Sequence, residues 1–598
     1  MNKFNLIIFD FEVFKYDVLL GCYVLDADGN KIKYQLWDQD EIRQFYEEHK
    51  DNSIWLGWNN QSYDNFILQA IIQKKSPYEQ SKQIIQEGNR FKYLRIQLYF
   101  YDLISNHPGS LKAIECADGK NIKTTDVAFD LDRPLTQEEK VLTEIYNTAD
   151  LDQTLDNFYN VRNEFELRLN IIDEFGLSMD TLHATGTQIG EAVLHAQETP
   201  GIENWVVKPK LYDTLQIKNQ QVIDFYLNED FKKGKKLDLV ICGVPHRIGS
   251  GGIHAARPKY HTDWAYYFDF TSFYANVMML YNLLPRSIPD KYKAFYKHMY
   301  EEQIRLKKID PDKRWVYKII ILSVFGAMTN KWCKFYDPYH GQLVTVTGEI
   351  FNVDLLEKLD GKIELIQNNT DGFIAKPLPG VTDEMLKEIL DKWSARTGFT
   401  MKFEKIYNIH QRDVNCYMYQ DESGNVHTLG EALKHYGAWE NSLYEDVYKS
   451  KEPVIIEYML VDYFIYHKLP EQTVEENRRK LRMFQYVCKK VSYDYLEFQK
   501  DFADGHVEIE RLQSVNRAFA HKSEEWKGMV YKCRAVGKTT RVKVSNLPDN
   551  CLIYDDEILS DEAYAKLEPI IDWQYYIDRG YERIREFMDL IEIKDIRP

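Results

Sequence analysis

Apolar and polar positions along this chain change period several times, and each change marks an element. Trp264–Phe268 is an unbroken aromatic and apolar run, as expected of a strand buried on both faces. Asp269 closes that run. From Ser272 a helical apolar period extends to Leu284, where Pro285 stops it. Asn5–Phe14 reads as a second buried strand, on which alternation puts Asp10 and Glu12 on one face. Gly57–Phe66 is a turn-like cluster that leads into a helix. Tyr146 and Asp150 stand four apart in a helical pattern and therefore share a face. Two more helical patterns, about 290–309 and 313–330, flank Asp310-Pro311-Asp312, and because proline cannot continue a helix they predict a helical hairpin. In its second arm Lys318, Leu322 and Phe325 share a face. Ile363–Ile366 and Phe373–Ala375 bracket Gln367–Gly372, which predicts a β-hairpin turning at Asp371-Gly372. Residues 165–245 read as helical and then mixed, with no motif. From about residue 440 the chain is helical and then becomes a β-ribbon at Met529–Lys543.

This mixture predicts an α/β multidomain protein, and 598 residues suffice for three or four compact units. With 44% hydrophobic and 14% aromatic residues, a disordered chain is excluded. No apolar run approaches the eighteen or so residues that span a bilayer, and Leu6–Phe9 is too short for a signal peptide. Eight scattered Cys without a Cys-x-x-Cys pair point to a reducing, cytoplasmic setting and away from structural zinc. A formal net charge of −17 requires that any phosphate partner find local positive charge. Such charge exists from Lys527 to Lys543, where six basic residues occur with no acid. Lys532 and Arg534 are expected on one ribbon face, as are Arg541 and Lys543 across the turn at Val536-Gly537-Lys538. A phosphate-tracking surface is the favoured reading over a solvated one.

Candidate chemistry lies in carboxylates on apolar elements. Asp269 on so apolar a strand needs compensation, either as a helix cap or as a ligand to a divalent metal. Asp10 and Glu12 repel each other at the end of a buried strand, and a metal would relieve them, as would a solvated strand end. Asp64 is a helix cap or a further ligand. Arg247–His254 is a flexible linker, or Gly251-Gly252 lets backbone approach DNA closely.

In order along the chain, these stretches resemble the motifs of family B DNA polymerases. Asp269-Phe270-Thr271-Ser272-Phe273-Tyr274-Ala275 stands for Asp-x-x-Ser-Leu-Tyr-Pro. Lys318, Ser323 and Gly326 match Lys-x3-Asn-Ser-x-Tyr-Gly, with Leu322 and Phe325 as departures. Thr370 and Asp371 remain of Tyr-x-Asp-Thr-Asp-Ser, where Gln367, Asn369 and Gly372 depart. Upstream, Asp10-Phe11-Glu12, then Asn59 or Asn60 through Tyr63-Asp64, and then Tyr146–Asp150 resemble the three motifs of the attached 3′–5′ exonuclease. Ser110-Leu111 resembles a single-strand-binding motif of the protein-primed phage branch, and Lys123 falls near that branch's catalytic lysine. The stretches Asp269–Lys318 and Lys318–Asp371 leave no room for the insertions of protein-primed members.

The resemblance implies an RNase H-like exonuclease domain and a right-hand polymerase with an antiparallel palm sheet, helical-hairpin fingers and a thumb. The expected boundaries are 1–165 exonuclease, 166–245 connection, 246–288 and 331–440 palm, 289–330 fingers, and 441–598 thumb with the basic ribbon. Asp269 and Asp371 would hold two Mg²⁺ at one centre, and Asp10, Glu12, Asp64 and Asp150 two at the other, with Tyr146 placing a water and Mn²⁺ able to substitute. Lys318, Arg305, Tyr274, Ser272 and Phe270 are the expected nucleotide contacts. Arg305 is chosen because it stands six residues before Pro311 and Lys318 seven after it, at nearly the same height in the hairpin, with Lys307 and Lys308 as neighbours that could replace it. Asn59, Asn60, Ser110, Leu111, Gly251, Gly252, Lys532, Arg534, Arg541 and Lys543 are the expected DNA contacts. Tyr417, in a decayed Lys-x-Tyr motif, is either a primer contact or a strand-core residue. The implied partners are template–primer DNA, single-stranded DNA and deoxynucleoside triphosphates, with no membrane, possible accessory proteins and a monomeric state. The setting would be phage or mobile-element replication. A dedicated 3′–5′ exonuclease with a decayed polymerase half, and a non-catalytic single-strand binder, are the alternatives.

Overall fold

The structure, a computed structural model, describes residues 4–26, 30–87, 94–105, 107–125, 127–198, 210–227, 234–249, 251–534 and 540–589. The chain is a mixed α/β protein of two units. One is Met1–His183, His435–Tyr458 and Pro470–Arg579, and the other is Ala184–Lys434, Met459–Leu469 and Gly580–Pro598. Among the described residues no helix is long and apolar enough to cross a membrane.

The first unit begins with a five-stranded sheet of β1 (Asn5–Val13), β2 (Val18–Leu25), β3 (Lys31–Leu36), β4 (Ser53–Gly57) and β5 (Phe100–Asp102), in the order β3-β2-β1-β4-β5. β2 runs antiparallel to the central β1, and β4 runs parallel to it. Around the sheet lie α1 (Gln39–His49), α2 (Asp64–Ile72), α3 (Pro77–Glu87), α4 (Leu111–Ala117) and α5 (Gln137–Phe175). α5 starts at a reciprocal capping box between Thr136 and Glu139, which satisfies amides that a helix start otherwise orphans. Leu151, Phe158 and Phe165 of α5 pack on Ile8, Ile54 and Leu56 of the sheet and on Ile114 of α4. Burying each such side chain contributes roughly 1.5–3 kcal/mol.

The second unit carries α6 (Gly186–Val193), α7 (Gln220–Leu227) and a nine-stranded antiparallel sheet. Its strands are β6 (Lys236–Ile241), β7 (Val244–Gly249), β8 (Gly252–Ala256), β9 (Tyr260–Phe270), β10 (Ile363–Asn369), β11 (Gly372–Pro377), β12 (Met401–Asp413), β13 (Cys416–Gln420) and β14 (Val426–Leu429), in the order β14-β13-β12-β9-β11-β10-β8-β7-β6. α8 (Phe273–Leu280) follows β9. Next come α9 (Asp290–Leu306) and α10 (Pro311–Ala327), the expected hairpin, with the Asp310 side chain accepting from Lys313 N and Pro311 in the first turn. α11 (Pro338–Leu359), buried along most of its length, and α12 (Asp383–Thr397) complete the set.

The rest of the first unit holds a three-stranded sheet of β15 (Tyr486–Lys489), β18 (Val515–Ala520) and β21 (Cys551–Ile553), and a four-stranded one of β16 (Tyr495–Phe502), β17 (Val507–Leu512), β19 (Trp526–Arg534) and β20 (Thr540–Lys543). Arg517 of β18 is fully buried, and its guanidinium donates to Gln485 Oε1 at 2.7 Å, to Cys116 O at 3.0 Å and to Lys120 O at 2.8 Å. It thereby closes the carbonyl end of α4, where helical partners run out.

Candidate active sites

In the first unit Asp10 and Glu12 project from β1 toward α5, and with Asp150 each offers a carboxylate oxygen within 4.8 Å of the others. Asp64, the first residue of α2, does not cap its helix by an ordinary N-cap bond; it accepts from Phe11 N on β1 at 3.2 Å. Burial above all, and then the neighbouring carboxylates, hold Asp10 well above the usual carboxylate range. Glu12 is raised likewise by burial and then by Asp150, and burial lifts Asp64 to about 7. Asn147 donates to Asp10 Oδ2 at 2.9 Å. Tyr146 is half-buried on the same face of α5 as Asp150.

The cation of this centre is Lys112 on α4. Its ammonium lies 2.7 Å from Asp150 Oδ1 and 2.8 Å from Glu115 Oε2, and 4.7 Å from the centre of the Tyr146 ring. Burial opposes its charge, but Asp150 and Glu115 outweigh burial and raise its pKa. Glu115 is itself buried, a condition that pushes it up to about 7. Lys123 is elsewhere, exposed and 2.6 Å from Asp556. Lys112 and Glu115 escaped the sequence reading although their i, i+3 spacing on a short helix was visible. All donors here are oxygens, the set that suits Mg²⁺ or Mn²⁺.

Of the other expected contacts in this unit, Asn59 is exposed in a left-handed turn, its N–H donating to Asp102 Oδ1 at 2.9 Å. Asn60 is fully buried and donates to Asn65 Oδ1, so it is part of the interior and not a DNA contact. Ser110 is exposed at the start of α4, and Leu111 is half-buried behind it. The register of the basic ribbon keeps each expected pair on a common face but sets the two pairs on opposite faces. Lys532 pairs with Val542 and Cys533 with Arg541, which puts Lys532 and Arg534 on one face and Arg541 and Lys543 on the other. Carboxylates reach it from neighbouring segments as well: Arg541 binds Glu497 at 2.8 Å and Lys543 binds Asp549 at 2.6 Å. Val536, Gly537 and Lys538 lie outside the described residues.

In the second unit β9 and β11 bring Asp269 and Asp371 together. Asp269 pairs in register with Gly372, and Phe270 N donates to Asp371 O at 3.1 Å. A Cβ on Gly372 would fall 2.6 Å from Phe268 O, so this close approach accounts for glycine in place of serine. Burial, and after it Asp371, raises Asp269. Lys402 faces Asp269 from β12, and Lys402 and Lys307 are the cations that act on it. Lys318 lies 4.2 Å from the centre of the Trp315 ring, and its pKa is lowered by partial burial and then by Arg314 and Lys307. Lys307 in turn is lowered first by Lys402. Lys307, Arg314, Lys318 and Lys402 thus form one electrostatically linked set, of which Lys307 and Lys402 act on Asp269.

Arg305 is not among them. It is exposed and forks onto Glu302 one turn earlier, at 2.8 Å from Oε2, and Lys307 at the end of α9 takes the place assigned to it. Arg314 was legible, one turn before Lys318 on the same face. Tyr274, in the first turn of α8, stacks on Phe325 of α10 at 4.1 Å between centroids. Ser272 is exposed with a left-handed backbone. Phe270 is corrected to a core residue: it is buried against Phe273 and Trp393, out of a nucleotide's reach. Tyr417 is likewise buried among Ala265, Ile366, Ile374 and Ile409, the strand-core alternative. Gly251 has open space around it. A Cβ on Gly252 would fall 2.6 Å from Thr370 Oγ1, so protein, not DNA, makes the close approach there. Asn369 Oδ1 accepts from His254 Nδ1 at 3.1 Å, and Leu322 is exposed on the Lys318 face.

No protein-family model matches this chain, and no curated protein sequence does. Among solved structures, the family B DNA polymerase from the hyperthermophilic archaeon Pyrobaculum calidifontis is similar, with 14% sequence identity and a TM-score of 0.44, over 98% of this chain and 78% of that one.

Proposed function

We propose that the protein is a template-directed DNA polymerase that extends a primer 3′ end and carries its own 3′–5′ exonuclease, serving phage or mobile-element replication. The observation that carries this reading is the Asp269–Asp371 pair on adjacent strands, with Lys307 and Lys402 acting on Asp269 and Arg314 and Lys318 linked to Lys307. In this reading the nine-stranded sheet is the palm, α9 and α10 the fingers, the five-stranded sheet the RNase H-like exonuclease core, and the chain from about residue 441 the thumb.

Asp269 and Asp371 would hold Mg²⁺, which supplies charge neutralisation for a triphosphate and its leaving group. Lys318, Lys307 and Arg314 bind and orient the triphosphate, as their mutual repulsion without an anion favours. Tyr274 lies under the sugar. At the other centre Asp10, Glu12, Asp64 and Asp150 would hold the same metal, Lys112 keeps Asp150 oriented, and the Tyr146 hydroxyl aligns the attacking water.

Primer extension with Mg²⁺ and all four deoxynucleotides tests this. Asp269→Ala should abolish growth while shortening continues, and Asp10→Ala should do the reverse. Shortening alone by the wild type would make the chain a dedicated nuclease, and a mobility shift alone would make it a binder.

A further inference from the structure

Beneath the turn that carries Asp371 lies a buried amide network anchored by Asn352, a residue outside the polymerase motifs. Asn352 of α11 is fully buried. Its Nδ2 donates to Asn369 O at 3.0 Å, to Thr370 O at 3.5 Å and to Asn368 Oδ1 at 3.1 Å, while its Oδ1 accepts from Asn368 Nδ2 at 2.9 Å. The two backbone carbonyls admit only a donor, so they fix which end of the Asn352 amide faces the turn. Asn368 is equally buried. From the other side Ile253 N of β8 donates to Thr370 Oγ1 at 3.0 Å. Buried amides cost free energy unless satisfied, and apolar residues fill most of α11, so a paired asparagine here needs a reason.

We propose that Asn352 is a positioning residue of the polymerase centre. It clamps the carbonyls of the two residues before Asp371 and so sets the direction in which that carboxylate leaves the turn. The inference rests on the polymerase reading and assigns a task to the underside of the sheet. Asn352 touches no substrate; it acts through the turn, with Ile253 N of β8 holding the Thr370 hydroxyl from the other side.

Asn352→Leu keeps size and removes the donors. It should lower the kcat of primer extension about 100-fold with the deoxynucleotide KM within about twofold, since small misplacements of reacting groups carry penalties of that order. Stability and positioning separate in the double variant Asn352→Leu/Asn368→Leu. Replacing both amides leaves neither one orphaned and should return the Tm toward wild type. The carbonyls of Asn369 and Thr370 stay unclamped, so kcat should stay low. Mn²⁺ affinity, followed by electron paramagnetic resonance in an Asp10→Ala background, should weaken about tenfold with either variant. Recovery of kcat together with Tm in the double variant would overturn the proposal, as would an unchanged Mn²⁺ affinity. If the wild type did not extend primers at all, the polymerase reading would fail, and the Mn²⁺ measurement would still decide the role of Asn352.

Discussion

Tyr274 and Phe325 stack almost parallel, which holds the Tyr274 ring edge-fixed beside Asp371. A ring held this rigidly can exclude a 2′-hydroxyl by collision, and repulsion is an effective route to specificity. Tyr274→Ala is expected to raise ribonucleotide insertion relative to deoxynucleotide insertion about tenfold or more, read as a ratio of single-nucleotide kcat/KM values. Equal loss with both sugars would reduce Tyr274 to a packing role. The cations make a second prediction at this scale. Lys307→Ala should raise the deoxynucleotide KM about tenfold, whereas Arg305→Ala, whose charge is spent on Glu302, should change it less than twofold. Asp269, Asp371, Asp10, Glu12 and Asp150 were legible because carboxylates on apolar elements demand an explanation. Lys112 was not, and Lys307 stood only as an alternative to Arg305, because a lysine in a sequence carries no sign of which way its stem will turn. Phe270 was misplaced, and Tyr417 left open between two readings, for a related reason: an aromatic in a motif serves a core as well as a substrate, and burial alone decides between them.

At the scale of elements, the period of the chain located β1, β9, the α9–α10 hairpin and the turn at Asp371-Gly372 within a few residues. Registers were beyond it. A slip of one residue moves every side chain to the opposite face, and only the β19–β20 pairing shows that Lys532 and Arg534 lie opposite Arg541 and Lys543. Polar contacts between elements distant in sequence, such as Phe11 N with Asp64, were equally hidden. That contact and the burial around it have a consequence for pH. Asp64 is raised to about 7 from an ordinary value near 3.9, so folding favours its neutral form. Its contribution to stability is full at low pH and is lost as pH rises through about 7. Without metal, Asp64→Asn should therefore melt several degrees above the wild type at pH 8, by a smaller margin at pH 5, and within about one degree of it near pH 4. A difference that shrank as pH rose would mean that Asp64 is ionised at little cost. Adding Mg²⁺ or Mn²⁺ at pH 8 should raise the wild-type Tm, and chelation should reverse the gain.

On the scale of the whole molecule, the net charge of −17 describes neither centre. Four cations gather at one and a lysine is locked into the other, so the total misinforms about local potential. The first unit is built from three separate stretches of chain, and this has an outcome for how the protein is made. Its N-terminal core includes Leu443, Tyr448 and Val515, and Arg517 closes the end of α4. A ribosome that has delivered only residues 1–183 has therefore released a sheet whose far wall is still unmade. The nascent segment must wait, exposed to chaperones, while the intervening chain emerges, and a gene fragment ending there should yield aggregates and no free-standing folded unit.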